Sequence, residues 1–300
     1  MRIGTDCSGM DAPLEALRQL NKKVEYVFGC DSWKVSKQFI HQNGIKPKVW
    51  FDDMTTRNDK LLPDIDMYIC GFPCQSFSNL GQKRGMADVE KGNVMLKCIS
   101  VIKTKLPKVF ILENVKGFIG NKKGEAFGIL MKKLKNLNKY ELHYSILNTI
   151  DYDIPQNRER FYLVGILKTE LIAPFTFPKK IKPTKHISEF IDDVFLGIKP
   201  SNNIIKNMPN WKSTDFCIAT ETGFGNFMKD KSPTITRGRL YISKYQRYLT
   251  PMDLLRLQGF KEVDFSGIAI TNQKKIIGNT MSVNVLKELF KSIFKSVKIN

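Results

Sequence analysis

Cys74 stands in GFPCQSFS (71–78), directly after the apolar run Met67–Cys70. A thiol leaving a buried strand into a loop shaped by Gly71 and Pro73 sits where open, mostly parallel α/β sheets bind ligands, beyond the carboxyl ends of their strands. Taken alone it reads as a structural thiol sooner than as a nucleophile, because free cysteine is among the most buried residue types. Glu113 ends the apolar run Val109–Glu113. A carboxylate at such a strand end can be partly desolvated and stay protonated near neutral pH, which suits it to donate a proton. In IPQNRERFYLVG (154–165), Arg158 and Arg160 alternate by two at a strand start, which predicts that both project on one face. Their planar donors fit carbonyl or phosphate oxygens, although arginines so placed also serve in surface salt bridges.

A second set of residues points to a nucleoside. The first predicted strand runs into CSGMDAPLEAL (7–17), a tight turn opening a helix, where Gly9 would let a ligand approach the backbone. This is not GxGxxG. About 20 residues later the second strand ends in Asp31, where an acidic residue binds ribose hydroxyls in such folds. Asp52 and Asp53 follow the third strand. Carboxylates after strands two and three could hold a ribose and an adenine amino group, or could cap helices.

These residues need a scaffold, and the chain supplies one. Arg2–Cys7, Glu25–Cys30, Val49–Phe51, Met67–Cys70, Val109–Glu113, Leu142–Leu147 and Arg160–Ile166 read as strands. Helical patterns cover Ala12–Leu20, Trp33–Gln42, Val94–Lys105 and Glu125–Leu137. Strand–helix alternation at this spacing predicts βαβ units on a parallel sheet. The last two strands are joined by a loop too short for a crossover helix and should form an antiparallel pair. From about residue 169 to 248 the chain is rich in Pro, Lys, Asn and Gly and predicts a smaller, irregular domain. Thr250-Pro251 then reads as an N-cap with proline at the first helical position, and a final amphipathic helix spans roughly Ser282–Lys295.

Composition narrows the partners. Lys plus Arg number 48 against 29 Asp plus Glu, a net charge of +19. That excess favours nucleic acid first and an anionic membrane second, or it is a lysine-rich solvated surface. The six cysteines are scattered, with no CxxC, and His41, His143 and His186 lie far apart, so no metal site is expected. No apolar stretch reads as a signal or membrane span, and a cytoplasmic protein is expected.

GFPCQSFS, ENV (113–115) and QNRER (156–160), in this order, resemble the motifs of the DNA (cytosine-5) methyltransferase family. TDCSG (5–9), SPTITRG (232–238), LTPMDLLRLQGF (249–260) and IIGNTMSVNVLKEL (276–289) extend the resemblance to nearly the whole chain outside 169–233. It implies a Rossmann-like S-adenosylmethionine-dependent methyltransferase fold. Residues 1–168 and 249–300 would form the catalytic and cofactor-binding domain, and 169–248 a target-recognition domain, with specificity in 169–233. Cys74 would be the nucleophile adding to cytosine C6 and Glu113 the donor to N3. Arg160 would bind O2, supported by Arg158 and Gln156. The cofactor, S-adenosyl-L-methionine, would lie against Cys7, Gly9 and Met10, with Asp31 on the ribose and Asp53 near the adenine. Gly71, Pro73 and Val94 would line its methionine side, and Asn279 and Met281 would close beside the first turn. The resemblance further implies a flipped base in double-stranded DNA, no metal, a monomer, a bacterial or viral host, and room for a companion restriction endonuclease that activity would not require.

The chain departs from the family pattern in three places. Where F-x-G-x-G is usual it has Cys7-Ser8-Gly9-Met10-Asp11, and Ser32-Trp33 follow the acidic residue where an aromatic usually comes at once. Lys91 replaces an expected arginine. Two other readings stay open at this point: a tRNA cytosine methyltransferase, whose usual Cys-Phe-Thr signature is not seen here, and a nucleic-acid-binding protein on this scaffold without catalysis.

Overall fold

The computed structural model describes residues 1–73, 94–120, 124–207, 215–221, 227–236 and 238–299. Cys74 and Lys91, with Trp211 and Phe224 of the proposed recognition region, lie outside the described residues. Contacts divide the chain into two compact units. The first holds Met1–Leu147, Arg160–Pro178 and Lys287–Asn300, and the second holds Asn148–Glu159 and Lys179–Leu286. The second unit thus takes in 148–159 and 249–286, segments that sequence reading groups with the catalytic domain.

The first unit is built on a seven-stranded sheet. Its strands are β1 (Arg2–Asp6), β2 (Glu25–Cys30), β3 (Val49–Phe51), β4 (Met67–Gly71), β5 (Val109–Val115), β6 (Tyr140–Asn148) and β7 (Glu159–Leu167). The spatial order is β3-β2-β1-β4-β5-β7-β6. Strands β1 to β5 pair in parallel, while β7 runs antiparallel to β5. The sheet is therefore mostly parallel, as the strand–helix alternation predicts, with β7 antiparallel to β5 and β6 beside β7.

Parallel strands covered on both faces read as continuous apolar runs. Met67, Tyr68, Ile69 and Cys70 of β4 and Val109–Leu112 of β5 are accordingly all but fully buried. Helices α1 (Ala12–Gln19), α2 (Lys34–Gln42), α3 (Val94–Lys105) and α4 (Glu125–Asn136) follow the predicted spans within a residue or two. Met95, Cys98 and Ile102 of α3 and Leu130 and Leu134 of α4 pack with Phe28, Tyr68, Phe110, Phe118 and Phe161 into one core cluster. Strand order reverses between β1 and β4, the switch point at which such sheets bind ligands. That crevice is where β1 and β4 deliver the turn from Cys7 and the loop toward Cys74.

The second unit contains what sequence reading took as irregular. Strands β8 (Cys217–Thr220), β9 (Phe227–Lys229), β10 (Leu240–Ile242) and β11 (Arg247–Tyr248) form an antiparallel sheet in the order β11-β10-β8-β9. Strands of two to four residues are too short to show alternation, so the sheet leaves no periodic signal. Helix α5 (Asn202–Asn207) supplies Ile204 to a small core with Cys217, Ala219 and Tyr241. Helix α6 (Pro251–Leu257) starts as predicted: Thr250 Oγ1 accepts from the Asp253 amide, and the Asp253 carboxylate accepts from the Thr250 amide. Helices α7 (Ile270–Asn279) and α8 (Val283–Ser296) complete the described chain. No helix among the described residues is long and apolar enough to cross a membrane.

Candidate active site

The first turn carries the densest polar chemistry. Cys7, Gly9 and Asp11 all adopt left-handed backbone, with φ of 52°, 54° and 49°. Glycine takes that conformation freely, whereas the other two must be held in it. Asp31, one residue beyond β2, grips the turn from one side: its Oδ2 accepts from the Gly9 amide at 2.8 Å and its Oδ1 from the Trp33 amide at 2.8 Å. Burial pushes the Asp31 carboxyl up, against the pull of those two amides. A carboxylate can accept more bonds than these two amides supply, which suits it to a ligand hydroxyl. A Cβ at Gly9 would meet nothing nearer than the Cys7 carbonyl at 4.0 Å, so the backbone there is open to close approach. The residues present thus fit a nucleoside ribose.

Cys7 occupies the position where an aromatic is usual. Its free thiol shares a hydrogen bond with that of Cys70, which also hydrogen-bonds with Cys98. Burial pushes the Cys70 thiol well up, which marks it as a core group. Met10 is fully buried, so only its backbone can face a ligand. Asp53 is exposed, and its Oδ1 accepts from the Thr55 amide at 2.7 Å and hydroxyl at 2.8 Å, forming a turn. That loop is anchored four residues on by Arg57. Its guanidinium makes two 2.6 Å bonds to Asp6, the last residue of β1, and lies against the Phe28 and Phe51 rings. Tyr68 also donates to Asp6 at 2.7 Å.

The ends of β4, β5 and β7 assemble the second cluster. Gly71 is opposite Glu113 in the parallel ladder, and Arg160 is opposite Val115 in the antiparallel one. Arg160 Nε lies 3.3 Å from Glu113 Oε1, and both side chains are largely buried. Next to them, the Asn114 side-chain amide donates to the Phe72 carbonyl at 2.9 Å and fixes the chain two residues before Cys74. Pro73 is exposed and Val94 half-buried, each at one border of the segment outside the described residues.

Arg158 and Gln156 belong to the second unit and are engaged there. β7 begins at Glu159, so Arg158 precedes the strand, and the reading that places both arginines on one strand face does not hold. Arg158 is 2% exposed and donates to the carbonyls of Ile235 at 2.8 Å, Gly278 at 3.1 Å and Thr280 at 2.8 Å. Gly278 permits this convergence, because a Cβ there would lie 2.7 Å from the Thr236 carbonyl oxygen. Gln156, also buried, donates to the Leu257 carbonyl at 2.6 Å and accepts from the Ile235 amide at 3.3 Å. Asn279 is exposed at the end of α7, and Met281 is buried in the same unit.

Sequence reading singled out neither Asn114 nor the polar residues inside the first turn. A signal was present for both: ENV places an amide beside the carboxylate, and TDCSG puts Thr5, Asp6 and Ser8 at the end of an otherwise apolar strand. Among the described residues no group of three or more His, Cys, Asp or Glu could hold a metal ion.

The sequence profile of the family described as C-5 cytosine-specific DNA methylase matches residues 5–219. The Type II methyltransferase M.Bsp6I of Bacillus sp. strain RFL6 is 31% identical over 278 residues, covering 86% of this chain and 87% of its own. The Type II methyltransferase M.HaeII of Haemophilus aegyptius is 32% identical over 292 residues, covering 91% of this chain and 88% of its own. In fold, the crystal structure of the Schizosaccharomyces pombe Dnmt2 methyltransferase superposes with a TM-score of 0.75 over 98% of both chains, at 19% identity.

Proposed function

Because the chain belongs to the C-5 cytosine-specific DNA methylase family, we propose that it methylates C5 of a cytosine turned out of double-stranded DNA, through a covalent adduct of Cys74 with C6. The observation that carries this reading is the Glu113–Arg160 pair at 3.3 Å, set at strand ends with Gly71 in register three residues before Cys74. A pyrimidine edge needs such neighbours: a carboxyl for N3 and a guanidinium for O2.

The thiolate of Cys74 forms the bond to C6, and the displaced electron pair moves toward C5. Glu113 holds the proton at N3, and Arg160 donates to O2, so the charge that develops on the ring is met by groups already in place. S-adenosylmethionine, when bound, supplies an electrophilic methyl group. Asp31, held by the Gly9 amide, would bind its ribose, and Asp53 would face its adenine. After methylation the C5 proton departs to a base, the C6–S bond breaks, and Cys74 is regenerated as thiolate. C5 and C6 lie inside the stacked duplex, so the base must leave the helix to reach this crevice. The net charge of +19 favours a phosphate backbone nearby. Target choice belongs to residues 169–233, because base contacts specify while phosphate contacts position.

DNA carrying 5-fluorocytosine at the target tests the adduct, since fluorine cannot leave C5 as a cation. The wild-type protein should give a denaturant-resistant complex, and Cys74→Ser should give none. Trapping that survives Cys74→Ser would overturn the assignment. Bisulfite sequencing of DNA from an expressing host reports the target.

A further inference from the structure

The family pattern F-x-G-x-G has a glycine where this chain has Asp11, a residue to which the reading above assigns no role. Asp11 keeps the glycine-like conformation, at φ 49° and ψ 52°, although it heads α1 without capping it through its side chain. The carboxyl turns inward instead. Oδ1 accepts from Thr5 Oγ1 at 2.8 Å, and Oδ2 accepts from the Tyr26 hydroxyl at 2.5 Å. Thr5 Oγ1 also lies 2.7 Å from Ser8 Oγ and 2.8 Å from the Tyr26 hydroxyl, and Ser8 Oγ donates to the Cys30 carbonyl at 3.1 Å. All four side chains are buried, and Asp11 is fully so. Gly29 makes room for the cluster, because a Cβ there would overlap the Tyr26 hydroxyl.

The turn is therefore gripped from two sides. On its outer side Gly9 donates to Asp31, the carboxylate placed for a ribose; on its inner side Asp11 is tied to β1 through Thr5 and to β2 through Tyr26. Only one residue, Met10, separates the inner tether from Gly9. Without that tether the turn would keep only its outer hold and the Ser8–Cys30 bonds, and the ligand would have to fix more of its shape, at the expense of affinity. We propose that Asp11, clasped by Tyr26 and Thr5, is a positioning residue for the cofactor: it holds the Cys7–Asp11 turn in its binding shape before S-adenosylmethionine arrives. This rests on the reading that Asp31, held by the Gly9 amide, binds that cofactor's ribose.

The test separates the tether from the backbone conformation. Asp11→Gly restores the family residue and its φ but removes the tether. Asp11→Asn keeps an acceptor in a residue that tolerates left-handed backbone. By calorimetry with S-adenosylmethionine, Asp11→Gly should bind about tenfold more weakly, the effect of one lost buried hydrogen-bond partner, while Asp11→Asn stays within about threefold of wild type. Tyr26→Phe deletes only the hydroxyl and should weaken binding in the same direction, and should add little to Asp11→Gly. In steady state the KM for S-adenosylmethionine should rise while kcat and the KM for DNA hold. Without any ligand, hydrogen exchange at the Gly9 amide should quicken in Asp11→Gly and not in Asp11→Asn. Wild-type affinity in both Asp11→Gly and Tyr26→Phe would overturn the proposal, as would equal losses in Asp11→Asn and Asp11→Gly. A wild-type protein that does not bind S-adenosylmethionine would instead sink the cofactor reading beneath it.

Discussion

Two buried polar devices hold two different regions of this protein, and they use opposite chemistry. In the first unit the Cys7–Asp11 turn is fixed by side chain on side chain, through Thr5, Ser8, Asp11 and Tyr26, all within about 25 residues of sequence. In the second unit Arg158 fixes three backbone carbonyls drawn from residues 77, 120 and 122 positions away. The first network contains a group that titrates; the second hangs on a guanidinium that keeps its charge at any working pH. A local turn that must meet a ligand is held by groups that can adjust. A junction of distant chain segments is held by a fork of fixed donors.

The sharpest way to break the contrast is to remove the fork. Arg158→Ala would leave the Ile235, Gly278 and Thr280 carbonyls buried without this donor, and we expect a loss of about 3–5 kcal/mol in urea unfolding. Arg158→Lys should recover only part, because an ammonium cannot reproduce the planar fork. A loss below about 1 kcal/mol would mean that the clasp contributes little and that packing of the second unit suffices.

The titrating side of the comparison predicts a pH signature. Burial pushes the Asp11 carboxyl up to about 7 from the ordinary 3.8, against the pull of the Tyr26 and Thr5 hydroxyls. Between those two values the folded protein keeps a proton that the unfolded chain has released. Stability contributed by this group is therefore full at low pH, falls as pH rises through the window, and levels off above about 7. The difference in unfolding free energy between wild type and Asp11→Asn should move by about 1–3 kcal/mol between pH 5 and 8, against the wild type at the higher pH. A difference independent of pH would show that Asp11 does not titrate in this window. Arg158→Lys should show no such dependence relative to wild type.

The smallest effect calibrates the others. Arg18 and Glu15 form an exposed ion pair one turn apart on α1, with Arg18 Nε 2.7 Å from the carboxylate. Arg18→Ala should cost about 0.2–1 kcal/mol and less in high salt, as surface pairs do. A larger cost would mean that α1 depends on its surface as well as on the buried turn that starts it.

Legibility followed the same contrast. Apolar runs bounded by turns gave β1 to β7 and the first four helices nearly to the residue, because strands buried on both faces and amphipathic helices leave periodic patterns. Glu113, Arg160, Asp31 and Gly9 were visible because each ends or follows such a run. Arg158 was misplaced: alternation by two suggested a strand face, but the strand starts one residue later and the partners lie far along the chain. No local pattern reports a bond across 122 positions. Asp11 was visible only as a departure from a motif. What it does depends on Tyr26, whose hydroxyl points to it only once β1 and β2 have paired with a bulge between Ile3 and Gly4. The antiparallel sheet of the second unit was missed because β8 to β11 are too short to carry a period.

The reach of Arg158 also constrains how the molecule can be made. The arginine is synthesised 122 residues ahead of its acceptor at Thr280, and 77 ahead of the one at Ile235. Once the ribosome has passed the small sheet, that cation has met only the Ile235 carbonyl, because Gly278 and Thr280 are still to come. The second unit cannot close until α7 has emerged, and at common elongation rates that interval is several seconds. The first unit's sheet core, by contrast, has all its strands once Leu167 is made. A chain stopped after the small sheet would hold a nearly finished first unit and a second unit whose arginine has met one of its three carbonyls. Such a nascent intermediate is one that chaperones and proteases would see, so the length of that pause, rather than the final stability, can decide how much enzyme a cell obtains.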